Sequence, residues 1–327
     1  MSYYFKKIRH VVMKNLSLFF YPLPQYTRNF IKADFVPLKY LLISVFLAVS
    51  IGVNYWVDFE TNYIAVSEFY SRFISYIAFY GFAYFGAVLL IKLTNKKAKF
   101  LKSSIFWSLS LVGLLIISFD GSYRGTYALA RKLVDQEAYL YVGRLLGEFR
   151  NFITIFIPLM LIWLFTKQHY DSFFGLTFKN VVVKPYLFLL LIMLVLIVIA
   201  VQDSSFLETY PMVKLYGVEN YWGIKKGWLV IMYEFFYGAA FLPVELFFRG
   251  FLVIGLARIM GKDAILPMVC MYAFLHFEKP MGEAISSVFG GYLLGAFAYY
   301  SKNIWGGILV HGGIALLMEV IAALVKM

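Results

Sequence analysis

Apolar residues gather into long runs near 40–56, 73–93, 104–119, 152–165 and 185–201, and again near 228–256, 264–276, 284–300 and 304–324. About 20 apolar residues in a helix cross the roughly 30 Å hydrocarbon core, and the shorter runs need flanking aromatic residues to complete them. The pattern predicts an all-α, polytopic integral membrane helical bundle with about eight or nine transmembrane helices. Before the first run, Phe5, Ile8, Val12, Leu16 and Phe19 recur at helical spacing with Lys6, Lys7, Arg9 and Lys14 between them. That is the signature of an interfacial helix lying on anionic lipid, which Pro22 and Pro24 should stop. Lys14 interrupts the early apolar stretch and no small-residue cleavage site follows, so a secretory signal is not expected.

Polar stretches divide the rest. Between Asp120 and Asn151, Leu129, Leu133, Leu145 and Phe149 alternate with Arg131, Lys132, Arg144 and Glu148, which reads as a surface or partly re-entrant amphipathic helix on the outer side, packed on the bundle. Asp203 to Lys226 is mixed in charge and contains Pro211. The expected organisation is an interfacial segment over 1–35, a variable membrane region over 36–226 and a helical core over 227–327.

Composition sharpens this picture. Hydrophobic residues make up 62% of the chain, charged residues 15%, and mean hydropathy is +0.76, which excludes a soluble globule. The net charge of +12 does not point to nucleic acid, because the basic residues sit in short loops between apolar runs. Residues 58–72 carry Asp58, Glu60 and Glu68, whereas 92–102 carries Lys96, Lys97, Lys99 and Lys102. By the positive-inside rule the N-terminus is expected in the cytoplasm of a multi-pass cell-membrane protein. The single cysteine, Cys270, lies in an apolar run and reads as packing.

Charge inside the apolar runs is the chemical signal. Glu245 and Arg249 fall four residues apart in a run that starts near Trp228, on one helix face. An ionisable residue at that depth costs roughly 2.5–3.5 kcal/mol on insertion scales and needs a reason. The pair either holds helices in register or belongs to a site. His276 and His311 follow on separate later runs, so the four residues read as one site assembled between helices. Pro243 removes a backbone N–H just before Glu245 and should kink the helix beside the acid. Glu234 lies three turns earlier on nearly the same face and either lines the same cavity or meets interfacial water. Glu283 is either a further site residue or an acid favoured by a helix N-terminus, and Glu319 either a second polar contributor or the partner of a nearby base. The glycines at 290, 291, 295, 306, 307, 312 and 313 allow close helix approach around His311.

With these residues in this order, the chain resembles the CAAX protease and bacteriocin-processing family of intramembrane endopeptidases, whose core helices carry Glu-Glu-x-x-x-Arg, then Phe-x-x-x-His, then His-x-x-x-Asn. Here Val244 takes the place of the first glutamate, Glu245 the second and Arg249 the arginine; Tyr272 precedes His276 in place of phenylalanine, and Ala315 follows His311 in place of asparagine. In the family the first glutamate is the residue thought to activate water. The resemblance implies an endopeptidase acting on membrane-associated peptides or proteins. Glu245 with His276 would activate water, Arg249 would position Glu245, and His311 would stabilise the oxyanion or ligate metal. Zinc would find His276, His311 and one carboxylate, although no His-Glu-x-x-His motif is present. A silent homologue acting as a membrane scaffold for a protein partner would explain Val244 and Ala315 equally. A small-molecule transporter lacks support, because no repeated halves with paired broken helices are evident.

Overall fold

The computed structural model describes residues 21–95, 98–179 and 181–326. Among these residues the regular structure is helical, apart from an isolated bridge between Phe173 and Leu176, in agreement with the all-α expectation. The interfacial helix expected over residues 5–19 lies outside the described residues. Pro22 and Pro24 introduce a helix, α1 (Leu23–Asp34), because proline suits a first turn whose N–H groups have no acceptor.

The next three helices are α2 (Pro37–Val57), α3 (Phe69–Thr94) and α4 (Ser104–Ser122), each long and apolar enough to span. On α2, Ile43, Leu47 and Ile51 are buried while Leu41, Val45, Val49 and Val53 are 48–59% exposed. An apolar residue on both faces is what a helix between protein and lipid requires. A short α5 (Thr126–Leu133) precedes α6 (Tyr139–Asn151). The amphipathic helix expected between Asp120 and Asn151 forms as two pieces, α5 with Arg131 and Lys132 and α6 with Arg144 and Glu148 among their apolar residues. α6 then runs through a π turn at Phe152–Phe156 into α7 (Ile157–Thr166), a helical stretch of 31 residues over Tyr139–His169 that contains a window apolar enough to span. The cause is local: nothing at Asn151 or Phe152 breaks a helix, and the C-cap residue keeps right-handed helical angles.

After α8 (Lys184–Ala200) and two short helices, α9 (Ser204–Thr209) and α10 (Val218–Trp222), comes α11 (Lys226–Glu245). It passes through Pro243 and changes at Leu246–Gly255 into a π-helix, where the Leu256 N–H reaches back five residues to Phe251 O at 3.1 Å. Pro243 offers no N–H to the preceding turn, so the ladder loosens where Glu245 and Arg249 stand. Phe247, Phe248 and Phe251 are wholly buried, which places this segment at the centre of the largest core cluster. A short α12 (Ala257–Met260) leads to Gly261, whose φ of 60° reverses the chain into α13 (Ile265–Phe274). The last helices are α14 (Met281–Ser301) and α15 (Trp305–Val325).

Among the described residues six stretches are long and apolar enough to cross a membrane, one of them the 49 residues of Lys226–Phe274, which turns back at Gly261. Reaching the expected eight or nine crossings requires counting that stretch twice and adding α8 and α14. The two ends of the bundle are tied differently. At one end Lys39 Nζ bonds Asp34 Oδ1 at 2.6 Å and lies 3.6 Å from Asp263 Oδ1. At the other, the turn after α13 is held by Asn54 Nδ2 to Phe277 O at 3.2 Å and Tyr55 Oη to Lys279 O at 2.6 Å. That second set fixes the turn carrying His276.

Candidate active site

Four elements meet around Glu245: the α11–π junction, α13, the turn after α13, and α15. Glu245 Oε1 lies 2.8 Å from Arg249 Nη1 and 2.9 Å from His311 Nδ1. The Glu245 and Arg249 side chains are 0% and 1% exposed, so each charge has only its neighbours for solvation. A carboxylate can only accept, so His311 donates its Nδ1–H to Glu245. Its Nε2 is then an acceptor in the neutral ring, and the Tyr272 hydroxyl, 3.1 Å away, donates to it. His276 donates Nδ1–H to the Tyr272 carbonyl one turn back at 2.8 Å, which leaves its Nε2 lone pair without a donor among the described residues.

Arg249 is satisfied by charge more than by hydrogen bonds. Its guanidinium carbon lies 4.1 Å from the centre of the Tyr272 ring, a cation–π contact, while Nε, Nη1 and Nη2 meet no acceptor with hydrogen-bond geometry among the described residues. Glu245 Oε2 is likewise buried without a donor. It rests against Gly307, where a Cβ would fall 2.3 Å from it. Phe241 closes on His311 edge to face at 4.4 Å, and the His276 and His311 ring centres are 6.4 Å apart. The arrangement offers one free imidazole nitrogen, unpaired guanidinium donors and a phenol held between them.

Glu245, Arg249, His276 and His311 therefore converge. The other three acids do not join them. Glu319, buried and two turns beyond His311, accepts the Met212 N–H at 2.7 Å and the Val213 N–H at 3.3 Å, so it secures the loop between α9 and α10. Glu234 stands apart from Glu245: it faces Glu319, and eleven residues of helix put it about 16 Å from Glu245 along the axis. Glu283 stands in the first turn of α14 and accepts from the Tyr210 hydroxyl at 2.9 Å. Val244 packs on the apolar core and contributes no acid, and Ala315 is buried against a separate apolar cluster. Two participants were not legible as such in the sequence. The Tyr272 hydroxyl had a signal, a phenol one turn before His276, whereas Gly307 was one small residue among several.

Among the described residues no three His, Cys, Asp or Glu side chains are grouped as a metal site needs. Both nitrogens of His311 are engaged, and zinc at His276 and His311 would require the Tyr272 hydroxyl to release Nε2.

The helices and this buried cluster define an all-α membrane bundle with a polar site enclosed in its core. A family model described as type II CAAX prenyl endopeptidase Rce1-like matches residues 226–317, less than a third of the chain but the part that carries all four converging residues. No curated protein and no solved structure matches the chain.

Proposed function

We propose that the chain is an intramembrane endopeptidase of the CAAX type, cleaving peptides or proteins held at the membrane. The observation that carries this reading is the free Nε2 of His276 beside the unpaired donors of Arg249 and the Tyr272 hydroxyl, because hydrolysis needs a base and an oxyanion partner in one cavity. Water attacks the scissile carbonyl as His276 Nε2 takes its proton, and the carbonyl oxygen becomes an oxyanion. Tyr272 turns its O–H from His311 Nε2 to that oxygen, and Arg249 adds its charge. Collapse of the tetrahedral intermediate breaks the C–N bond, and His276 returns the proton to the leaving amine. Glu245 positions His311 through Nδ1 and keeps Arg249 in place.

One observation favours a second reading. Glu245 is locked between Arg249 and His311, Tyr272 occupies His311 Nε2, and Val244 removes the family's first acid. A closed site of this kind suits a silent homologue that binds a partner as a scaffold. Val244→Glu separates the two: a silent protein gains peptidase activity, whereas an enzyme built on His276 loses activity through the added charge beside Glu245. Zinc dependence is tested in the same assay with a chelator; activity that survives metal removal contradicts a zinc role. Orientation with a cytoplasmic N-terminus rests on the lysine-rich loop at 92–102. A cysteine at Ser67 should then label from outside and one at Asn95 only after permeabilisation, and the reverse result would invert the topology.

A further inference from the structure

A cavity of about 190 Å³ opens between the end of α4, α5 and α6, with none of the Glu245 cluster in its lining. Three arginines, Arg124, Arg144 and Arg150, and one glutamate, Glu148, line it. The arginines differ in what already holds them. Arg150 is paired on both nitrogens with Asp120, at 3.2 Å each. Arg124 makes a loose contact with Glu278 at 3.7 Å, with nearly half of each side chain exposed. Arg144 has no carboxylate within ion-pair distance among the described residues; its Nη1 meets the Tyr216 hydroxyl at 3.4 Å and its guanidinium lies 6.0 Å from the Tyr233 ring. Glu148, the carboxylate four residues on, takes a hydrogen bond from the Tyr233 hydroxyl at 3.3 Å.

The cavity is also kept open. Gly147 lines it, and a Cβ there would meet nothing within 4 Å. One wall is fixed by α6 packing on the first turns of α11, where the Tyr141 hydroxyl donates to Leu229 O at 2.6 Å. Leu129, Leu133 and Phe149 stand 44%, 61% and 43% exposed on the same two helices, apolar side chains suited to the acyl boundary beside it.

We propose that this cavity binds the phosphate group of an anionic phospholipid, with Arg144 as the principal contact and Arg124 as a second. Guanidinium groups match phosphate oxygens with paired N–H donors, and a half-buried arginine without a carboxylate is the one free to do so. The site is independent of the peptidase reading. It is tested by thermal unfolding of the purified full chain in neutral detergent, titrated separately with phosphatidylglycerol, phosphatidylcholine and sodium phosphate. Phosphatidylglycerol should raise the melting temperature saturably and phosphatidylcholine should not. Arg144→Gln should raise the half-saturation concentration about tenfold or more, the loss of one charge-assisted contact. Gly147→Leu, which fills the cavity without displacing backbone, should abolish saturation, and Arg131→Gln, outside the cavity, should change nothing. Inorganic phosphate acting alone would support the phosphate site with a free ion as its source, and phospholipid acting alone would assign the headgroup. Equal stabilisation by both lipids, or an unchanged titration in both cavity variants, would overturn the proposal.

Discussion

Replacing Glu245 by leucine removes the one carboxylate contact, among the described residues, of a guanidinium that is 1% exposed, and with it the acceptor for His311 Nδ1. Stranding one member of a buried ion pair costs about 3–5 kcal/mol. The Tyr272 ring 4.1 Å from Arg249 offsets none of that, because this cation–π contact is already present before the change. The double variant Glu245→Leu with Arg249→Met removes both charges and fills similar volume. What remains is one unmet donor, His311 Nδ1, at about 1–3 kcal/mol, reduced by turning the ring toward its partly exposed edge. The double variant should therefore be milder than the single one by about 2 kcal/mol. Equilibrium unfolding of the purified protein in mixed micelles, followed by tyrosine and tryptophan fluorescence, measures both. A double variant no milder than the single one would refute the reasoning, since Arg249 would then owe its stability to some partner other than Glu245.

Other expectations follow from single contacts. Tyr272→Phe removes the hydroxyl donor from His311 Nε2 and should cost about 1–3 kcal/mol in unfolding and about 10²–10³ in kcat, the usual size of one oxyanion donor. Gly307→Ala places a Cβ 2.3 Å from Glu245 Oε2 and should destabilise by about 1–3 kcal/mol, whereas Gly290→Ala, with nothing within 4 Å, should be neutral or slightly stabilising; equal effects would contradict the close approach. Glu60, itself buried at the start of the helical turn Glu60–Ala65 between α2 and α3, has its carboxyl pushed up to about 8 by burial and then by Glu278, against the lowering from the Tyr76 hydrogen bond and Arg124. The folded state holds a proton that the unfolded chain releases near pH 4.5, so this group's stabilisation is present below about pH 4.5 and is lost as pH rises to about 8. Glu60→Gln should flatten that slope in an unfolding series; an unchanged slope would show that Glu60 does not titrate in this window.

Much of the architecture was readable because lipid makes strong demands on a sequence. Runs of apolar residues marked α2, α3, α4, α8, α14 and α15 within a few residues of their ends, since each must satisfy its own backbone where no water reaches. The joint between α6 and α7 was not readable. Charged residues at Arg144, Glu148 and Arg150 look like the end of a membrane helix, but their partners Asp120, Tyr216 and Tyr233 lie on other elements and let the helix continue. For the same reason the cluster of Glu245, Arg249, His276 and His311 was legible in identity and opaque in roles. Spacing brings residues to one face, but only the fold shows that one oxygen of Glu245 serves both a guanidinium and an imidazole. Glu234 illustrates the limit of a helical wheel: it shares a face with Glu245, yet a separation of three turns gives it to Glu319. The Pro243 irregularity was expected as a kink and is realised as a change of helix type over Leu246–Gly255.

The claim that His276 is the base of an intramembrane endopeptidase is met most directly by peptide cleavage in proteoliposomes holding the purified full chain and a membrane-anchored peptide. Products are identified by mass spectrometry, and His276→Ala is run beside the wild type. The account predicts a single new pair of termini from the wild type and a loss of rate of about 10²–10⁴ in the variant, the usual range for removing a general base. No cleavage by the wild type, or cleavage that His276→Ala leaves unchanged, would contradict it.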